Sequence, residues 1–407
     1  MVEPEEVEIA GLGAQGDGVV DTPAGDIYVA YALPGERWRL ADGAPPVMLR
    51  PHPARAQPAC AHFGSCGGCA AQHMPDPLYV AWKRGIVVQA FRHRGIDAPV
   101  ADLFRVPLGS RRRLTIYARR YRKNLHVGFY RAATHLIMNI AECPIAEPRL
   151  VAALPVLREM LEPLLTGKAE AAVDLLGTPM GVDARVDFIY LASAREAYPR
   201  LAELAARNGF ARLTVERDVI ALARKPVLAF AGVEVEVPPG AFVQAVEAAE
   251  REMQRLVLAA TAKAKRVADL FCGLGTFTLP LARRTPVLAV DSNGEALAAL
   301  AAAARHAQGL KPIEIRARDL FRMPLAAREL EAFDAVVLDP ARSGAQAQAE
   351  ELARAKARTI VAVSCNPGTL ARDVRILVDG GYTLECVTPI DQFLFSAHVE
   401  AVAVLRR

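Results

Sequence analysis

The stretch "VADLFCGLGTFTLPLA", residues 267–282, decides the fold. An apolar run ending near Leu270 enters a loop that carries Gly273 and Gly275, and a helical pattern starts around Thr276. Glycines at that junction let a ligand approach the backbone at a helix N-terminus. A dinucleotide fingerprint would place a third glycine at 278, where this chain has Thr278. Asp291 ends the next apolar run and is positioned to accept hydrogen bonds from ribose hydroxyls. A glycine loop with a ribose acid but no third glycine favours S-adenosylmethionine over NAD, because that cofactor has a ribose and no pyrophosphate to cradle. A plain strand-to-helix turn is the bland alternative.

Working outward, the same texture continues to the last residue. "PIEIRARDLF" delivers Asp319, "VVLDPARSG" delivers Asp339 and "TIVAVSCNPGTLARD" delivers Cys365, each after an apolar run. Strands alternating with helices predict a parallel sheet covered on both faces, and "YTLECVTPI" and "HVEAVAVLRR" predict an antiparallel pair at one edge. In such a sheet the ligand lies at the carboxyl ends of the strands, so Asp291, Asp319, Asp339 and Cys365 are expected to line one crevice. A buried structural thiol at 365 would do no more than Val or Ala. A reactive thiolate near a helix N-terminus, where its pKa falls, is the sharper reading.

The remainder of the 407 residues reads as two further units. Residues 1–52 alternate short β-type runs with glycine turns, the rhythm of a small OB-like barrel, and "GAPPVMLRPHP" makes a linker. Residues 53–240 read as an α+β unit, and 241–407 as the α/β Rossmann-like unit. Net charge is only +4, yet residues 81–131 hold 13 Lys/Arg against two Asp, a local excess of +11. That block reads as a surface for a polyanion, with Arg111, Arg112, Arg113, Arg119, Arg120, Arg122 and Lys123 as candidate phosphate contacts. The start "MVEPEEVEIA" lacks the apolar core of a signal peptide, which predicts a cytoplasmic protein with no membrane partner.

Of seven cysteines, Cys60, Cys66 and Cys69 form "CAHFGSCGGC", and Cys143 follows in "NIAECPI". Three clustered thiols plus a distant one followed by proline favour a [4Fe-4S] site over zinc, which more often uses two close pairs.

The motifs "DLFCGLGTFTLPLA", "VVLDPARSG", "VSCNPGTLARD" and "FLFSAHVEAV", in this order and spacing, resemble those of the RNA uracil-5 methyltransferases. The resemblance covers the whole chain: the N-terminal barrel resembles a TRAM domain, and the cysteine cluster resembles the iron-sulfur site of the 23S rRNA branch. Ala341, Thr276 and Gly368 stand where that family usually has Pro, Asn and Ala. The resemblance implies Cys365 as the nucleophile that adds to uracil C6 and Glu400 as the base that removes the C5 proton. It also implies Gln244, Phe271, Thr276, Asp291, Asp319 and Asp339 as S-adenosylmethionine contacts, Cys60, Cys66, Cys69 and Cys143 as cluster ligands, and 23S rRNA, not DNA, as the partner. The competing readings are a tRNA uracil-5 methyltransferase, whose branch typically lacks barrel and cluster, and a non-catalytic RNA-binding protein on the same fold.

Overall fold

The computed structural model describes residues 5–191 and 193–407. Its largest sheet is built from β1 (Val267–Leu270), β2 (Val287–Asp291), β3 (Ile313–Ala317), β4 (Ala335–Leu338), β5 (Thr359–Ser364), β6 (Thr383–Asp391) and β7 (Glu400–Arg406). The strand order is β3-β2-β1-β4-β5-β7-β6, with the short strand Phe104–Arg105 added in parallel beyond β6. β1 to β5 pair in parallel, and β7 runs antiparallel to both neighbours. β1, β4 and β5 are buried along their whole length, which is why they read as unbroken apolar runs.

Alternate residues of these strands serve opposite faces. Ala268 and Leu270 of β1 join a core with α1 (Asp76–Arg92), α5 (Gln346–Arg354) and α6 (Pro367–Asp379). Val267 joins one with α2 (Glu247–Ala260) and α3 (Thr278–Ala282), and α4 (Gly294–His306) packs beside Ala289. Helix α1 therefore packs on the C-terminal sheet although it lies far upstream. Its buried positions Tyr79, Trp82, Lys83, Val87 and Phe91 recur at helical spacing on one face.

Two other units complete the chain. One six-stranded sheet runs Asp218–Leu222, Phe210–Val215, Gly181–Ile189, Glu170–Thr178, Arg113–Tyr121, Asn124–Gly128, and its one face is covered by helices Leu154–Leu161 and Tyr198–Arg207. At the N-terminus two three-stranded sheets enclose Val7, Ile9, Val20, Val29 and Trp38. No helix among the described residues is long and apolar enough to cross a membrane.

Candidate active site

Register brings the chemistry together. Ser364 of β5 lies opposite Ala401 of β7, so Cys365 and Glu400, each one residue beyond that pair, emerge side by side at the end of the sheet. Leu270 pairs with both Val290 and Leu338, which sets Phe271, Asp291 and Asp339 in a row along the same edge. All five residues, with Gln244 and Thr276, line one cavity of about 860 Å³. Cavities of this size enclose a drug-sized ligand.

The glycine loop is shaped to face that cavity. At Gly275 (φ 90°) an added Cβ would meet the Leu300 side chain at 2.5 Å, so that glycine is needed for packing on α4. At Gly273 (φ 51°) nothing lies within 4 Å, and its N–H donates to Asp291 at 2.9 Å. The other Asp291 oxygen accepts from Asn293 N–H at 2.8 Å, while the Asn293 side chain caps α4. Phe271 adopts φ 63°, unusual for a bulky residue, and its ring meets Phe321 at 5.2 Å.

Asp319 departs from expectation. Its carboxylate turns back to accept the N–H groups of Phe321 (3.0 Å) and Arg322 (3.3 Å), and it does not line the cavity. A short acidic side chain after a strand finds its own turn first. Phe321, 49% exposed, takes the place in the wall.

Behind Cys365 and Glu400 runs a buried chain of amides. Gln244 Nε2 donates to Asp339 at 3.2 Å, and Gln392 Nε2 donates both to Gln244 Oε1 (2.9 Å) and to Glu400 (2.6 Å). The Gln392 carbonyl is in turn held by Ala245 N–H at 3.1 Å. Glu400 is thus wired to Asp339 through two side chains. Burial, then the charge on Asp339, pushes the Glu400 carboxyl up to about 8 against the Gln392 hydrogen bond. Burial also raises Asp339 to about 7, opposed by Gln244 and reinforced by Asp291.

The Cys365 thiol is raised, not lowered as its place before a helix predicts: burial and the Glu400 carboxylate outweigh the nearby Arg342 guanidinium. The helix N-terminus is already satisfied by Asn366, whose Oδ1 accepts from Gly368 N–H (3.0 Å) and Thr369 N–H (3.4 Å). The same amide donates to the Arg342 carbonyl at 3.1 Å, tying the loop after β4 to the thiol.

A buried brace fixes the loop that carries Gln392. The fully buried Lys83 pairs with Asp391 at 2.7 Å and donates to the carbonyls of Phe393 (3.1 Å) and His398 (2.6 Å). Tyr79 donates to the other Asp391 oxygen at 2.5 Å and accepts from Phe395 N–H.

The arginine run is only in part a free surface. Arg112 is buried, pairs with Glu250 at 2.7 Å and donates to the Gln244 carbonyl. Arg119 pairs with Glu170 and Arg120 with Glu162. Arg111 is largely enclosed and donates to the Arg113 carbonyl. Arg122 and Lys123 remain exposed at a turn. The expected phosphate role of Arg112 gives way to a structural one, while Arg111 lines the cavity.

The four thiols Cys60, Cys66, Cys69 and Cys143 are free and line the same cavity. Burial pushes Cys69 up to about 12, with the charges of Cys143, Cys66 and Cys60 adding to the rise against a hydrogen bond with Gln72. Among the described residues no group of three or more His, Cys, Asp or Glu is set to hold a metal ion.

With this geometry in view, the relatives are informative. The sequence model of the family described as tRNA (uracil-5-)-methyltransferase matches residues 115–407. The chain belongs to that family. An uncharacterized RNA methyltransferase of Brucella suis biovar 1 (strain 1330) is 47% identical over 406 residues, 99% of this chain and 98% of that one. The 23S rRNA (uracil(1939)-C(5))-methyltransferase RlmD of Alkalilimnicola ehrlichii is 34% identical over 436 residues, 100% of this chain and 97% of that one. The tRNA (uracil-54, C5)-methyltransferase of Pyrococcus abyssi, solved in complex with S-adenosyl-L-homocysteine, shares the fold at a TM-score of 0.73 and 23% identity, covering 98% of this chain and 100% of that one. The protein is therefore an RNA uracil-5 methyltransferase. Because a tRNA enzyme aligns along nearly the full length, the extent of the chain does not separate the two RNA classes. Within the family frame, sequence reasoning missed Gln392, Lys83 and Phe321. Gln392 sat in plain view two residues past the β6–β7 register pair Ile390 and Glu400, but a lone glutamine carries no motif signal.

Proposed function

We propose that the protein uses S-adenosylmethionine to methylate C5 of a uridine in 23S rRNA, with Cys365 as nucleophile and Glu400 as base. The observation that carries this is the register-fixed pairing of a thiol with a buried, high-pKa carboxyl at one cavity wall. The donor set fits the cofactor: Asp291 and Asp339 offer carboxylates to a cation and a ribose, and Gly273 leaves room at the backbone. When bound, S-adenosylmethionine would supply a sulfonium-activated methyl group, with S-adenosylhomocysteine as the leaving group.

The chain's own residues do the rest. The Cys365 thiolate forms the S–C6 bond, and the C5–C6 electron pair moves toward O4, giving the enolate that makes C5 nucleophilic. Below about pH 8 the Glu400 carboxyl is mostly protonated. Its charge then no longer opposes formation of the neighbouring thiolate. After C5 is methylated, Glu400 first gives up its own proton to solvent and then, as carboxylate, takes the C5 proton; the C5–C6 double bond reforms and the S–C6 bond breaks, returning the thiolate.

For the four cysteines we favour a [4Fe-4S] cluster. The four thiols line one cavity, and the charges of Cys143, Cys66 and Cys60 all act on Cys69, so the set is gathered closely enough to share one cluster. The N-terminal pair of small sheets supports an OB-like TRAM unit. The choice of 23S rRNA over tRNA rests on the RlmD relative and the cysteine set.

Glu400→Gln should accumulate an RNA adduct attached through Cys365 and methylated on the base, visible on denaturing gels, whereas Cys365→Ala forms none and still binds S-adenosylhomocysteine. An active Cys365→Ala would sink the mechanism. Mapping 5-methyluridine in rRNA and tRNA of cells lacking the gene decides the RNA class. Protein purified without oxygen should carry about four irons per chain, lost in Cys143→Ser, and full activity in a colourless, iron-free preparation would refute the cluster.

A further inference from the structure

A second cavity, of about 960 Å³, opens on the other side of the nucleophile. Its walls come from three places: the Leu12–Gln15 loop of the N-terminal unit, the exposed end of α1 with Gln89, His93 and Arg94, and the start of α6 at Asn366–Gly368. Among the described residues only Cys365, Arg342 and His398 line both cavities. Arg342 Nη2 lies 2.7 and 2.8 Å from the two ring nitrogens of His398, so this pair forms the partition beside the thiol.

The two cavities differ in charge. The first carries Asp291, Asp339, Glu400 and Glu142; among the described residues the second is lined by no Asp or Glu. Arg94 and Arg342 make no ion pair among the described residues, and Gln15, Gln89 and His93 are exposed with polar groups free to reach a ligand. Trp82 forms part of the floor, its indole N–H held by the Gly13 carbonyl at 2.9 Å, which fixes the loop against α1.

We propose that this second cavity seats the unpaired RNA nucleotide next to the target uridine, with Arg94 on its phosphate and Gln89 and Gln15 at its base edge. The inference rests on the reading that the uridine reaches Cys365. An acid-free, cationic recess that opens onto the thiol matches a polyanion whose target base must be unstacked to enter. Amide side chains, each with a donor and an acceptor, suit a base edge.

The test uses the full-length protein and a fluorescein-labelled short single-stranded oligouridylate, read by anisotropy across a salt series. Arg94→Glu should weaken binding about tenfold and flatten the log-log salt slope by about 0.7. Gln89→Glu should weaken binding severalfold. Arg217→Glu, an exposed arginine on the outer part of the six-stranded sheet, should change it less than twofold. S-adenosylhomocysteine affinity should be unchanged in all three. Unchanged RNA binding in Arg94→Glu and Gln89→Glu, an equal loss in Arg217→Glu, or a parallel loss of S-adenosylhomocysteine binding would each overturn the proposal. The nucleophile is scored separately, by adduct formation between wild type and 5-fluorouridine RNA. Absence of that adduct counts against the Cys365 chemistry, while the anisotropy series alone scores the cavity.

Discussion

The two cavities that meet at Cys365 are built on opposite principles. In the first, the polar side chains are wired to one another: Asp339 to Gln244, Gln244 to Gln392, Gln392 to Glu400, the last three residues buried and Asp339 half-buried. In the second, Gln15, Gln89, His93 and Arg94 stand exposed with side chains uncommitted among the described residues, beside the engaged Arg342–His398 pair and Asn366. A buried, fully connected network holds reacting groups in one geometry and leaves carboxyl pKa values far from their usual range. An exposed set adapts to a flexible strand and draws it in by charge. In the proposed reaction one thiol serves a cationic donor and an anionic acceptor, and the sorting of acids and free bases onto different sides of it keeps the two apart.

Arg112 gives the harshest test of that sorting. By composition it belongs to the basic block, but by position it braces the wired side, pairing with Glu250 and holding the Gln244 carbonyl. Both partners are almost wholly buried. Arg112→Ala leaves an unpaired carboxylate inside and should lower unfolding stability by ~3–5 kcal/mol, measured by urea denaturation. The Glu250 carboxyl, held up at about 7 mainly by burial, should rise further when its guanidinium is gone. That group favours its neutral form in the folded state, so the loss of stability should be smaller at pH 5 than at pH 8. The salt slope of RNA binding should stay as in wild type. A flattened slope would mean that Arg112 touches phosphate and that the sorting is wrong.

Gln392 sharpens the comparison from inside the network. Its N–H groups favour the Glu400 carboxylate, so Gln392→Leu removes a stabilising donor and Glu400 should titrate higher. In the proposed mechanism Glu400 acts deprotonated, so resolution of the covalent adduct should rise with pH through about 8 in wild type. In the variant that rising limb should move to higher pH, and at pH 7.5 resolution should slow by roughly 10- to 100-fold, within what a general base contributes. Binding of S-adenosylhomocysteine should weaken only severalfold, through Gln244. Gln392 acts here as a positioning residue, and a limb that stays in place would reduce it to packing.

Much of the wired side was legible because strand ends announce themselves. An unbroken apolar run followed by Asp291, Asp339 or Cys365 marks both the sheet and the edge where the cavity lies; the last of the four motif segments added Glu400, and the family resemblance added Gln244. What stayed hidden depends on partners distant in the chain. Nothing local tells that Lys83 will meet Asp391 or that Arg112 will meet Glu250, 138 residues later, so a count of charges mistakes both for surface. Helix α1 shows an apolar face, but periodicity does not name the sheet it covers. The second cavity is assembled from three separate segments and has no sequence signature at all.

Asp319 and Asp291 supply the finest contrast, since both are acids at strand ends and only one faces the cavity. Asp291 lines it and fixes the backbone of Gly273 and Asn293 with separate oxygens. Asp319 spends one oxygen on the turn that carries Phe321 and leaves the wall to that ring. Asp319→Asn keeps an acceptor for the same N–H groups, so the turn survives and S-adenosylhomocysteine affinity should fall less than about threefold, under about 1 kcal/mol, the scale of one neutral hydrogen bond. Asp291→Asn loses the charge and offers only one carbonyl oxygen to two backbone donors, and should cost about tenfold or more, as charge-assisted bonds do. Calorimetric titration of the two variants side by side settles the order. If Asp319→Asn proves the costlier, its carboxylate turns toward the ligand on binding, and the turn seen here is a resting arrangement that the cofactor displaces.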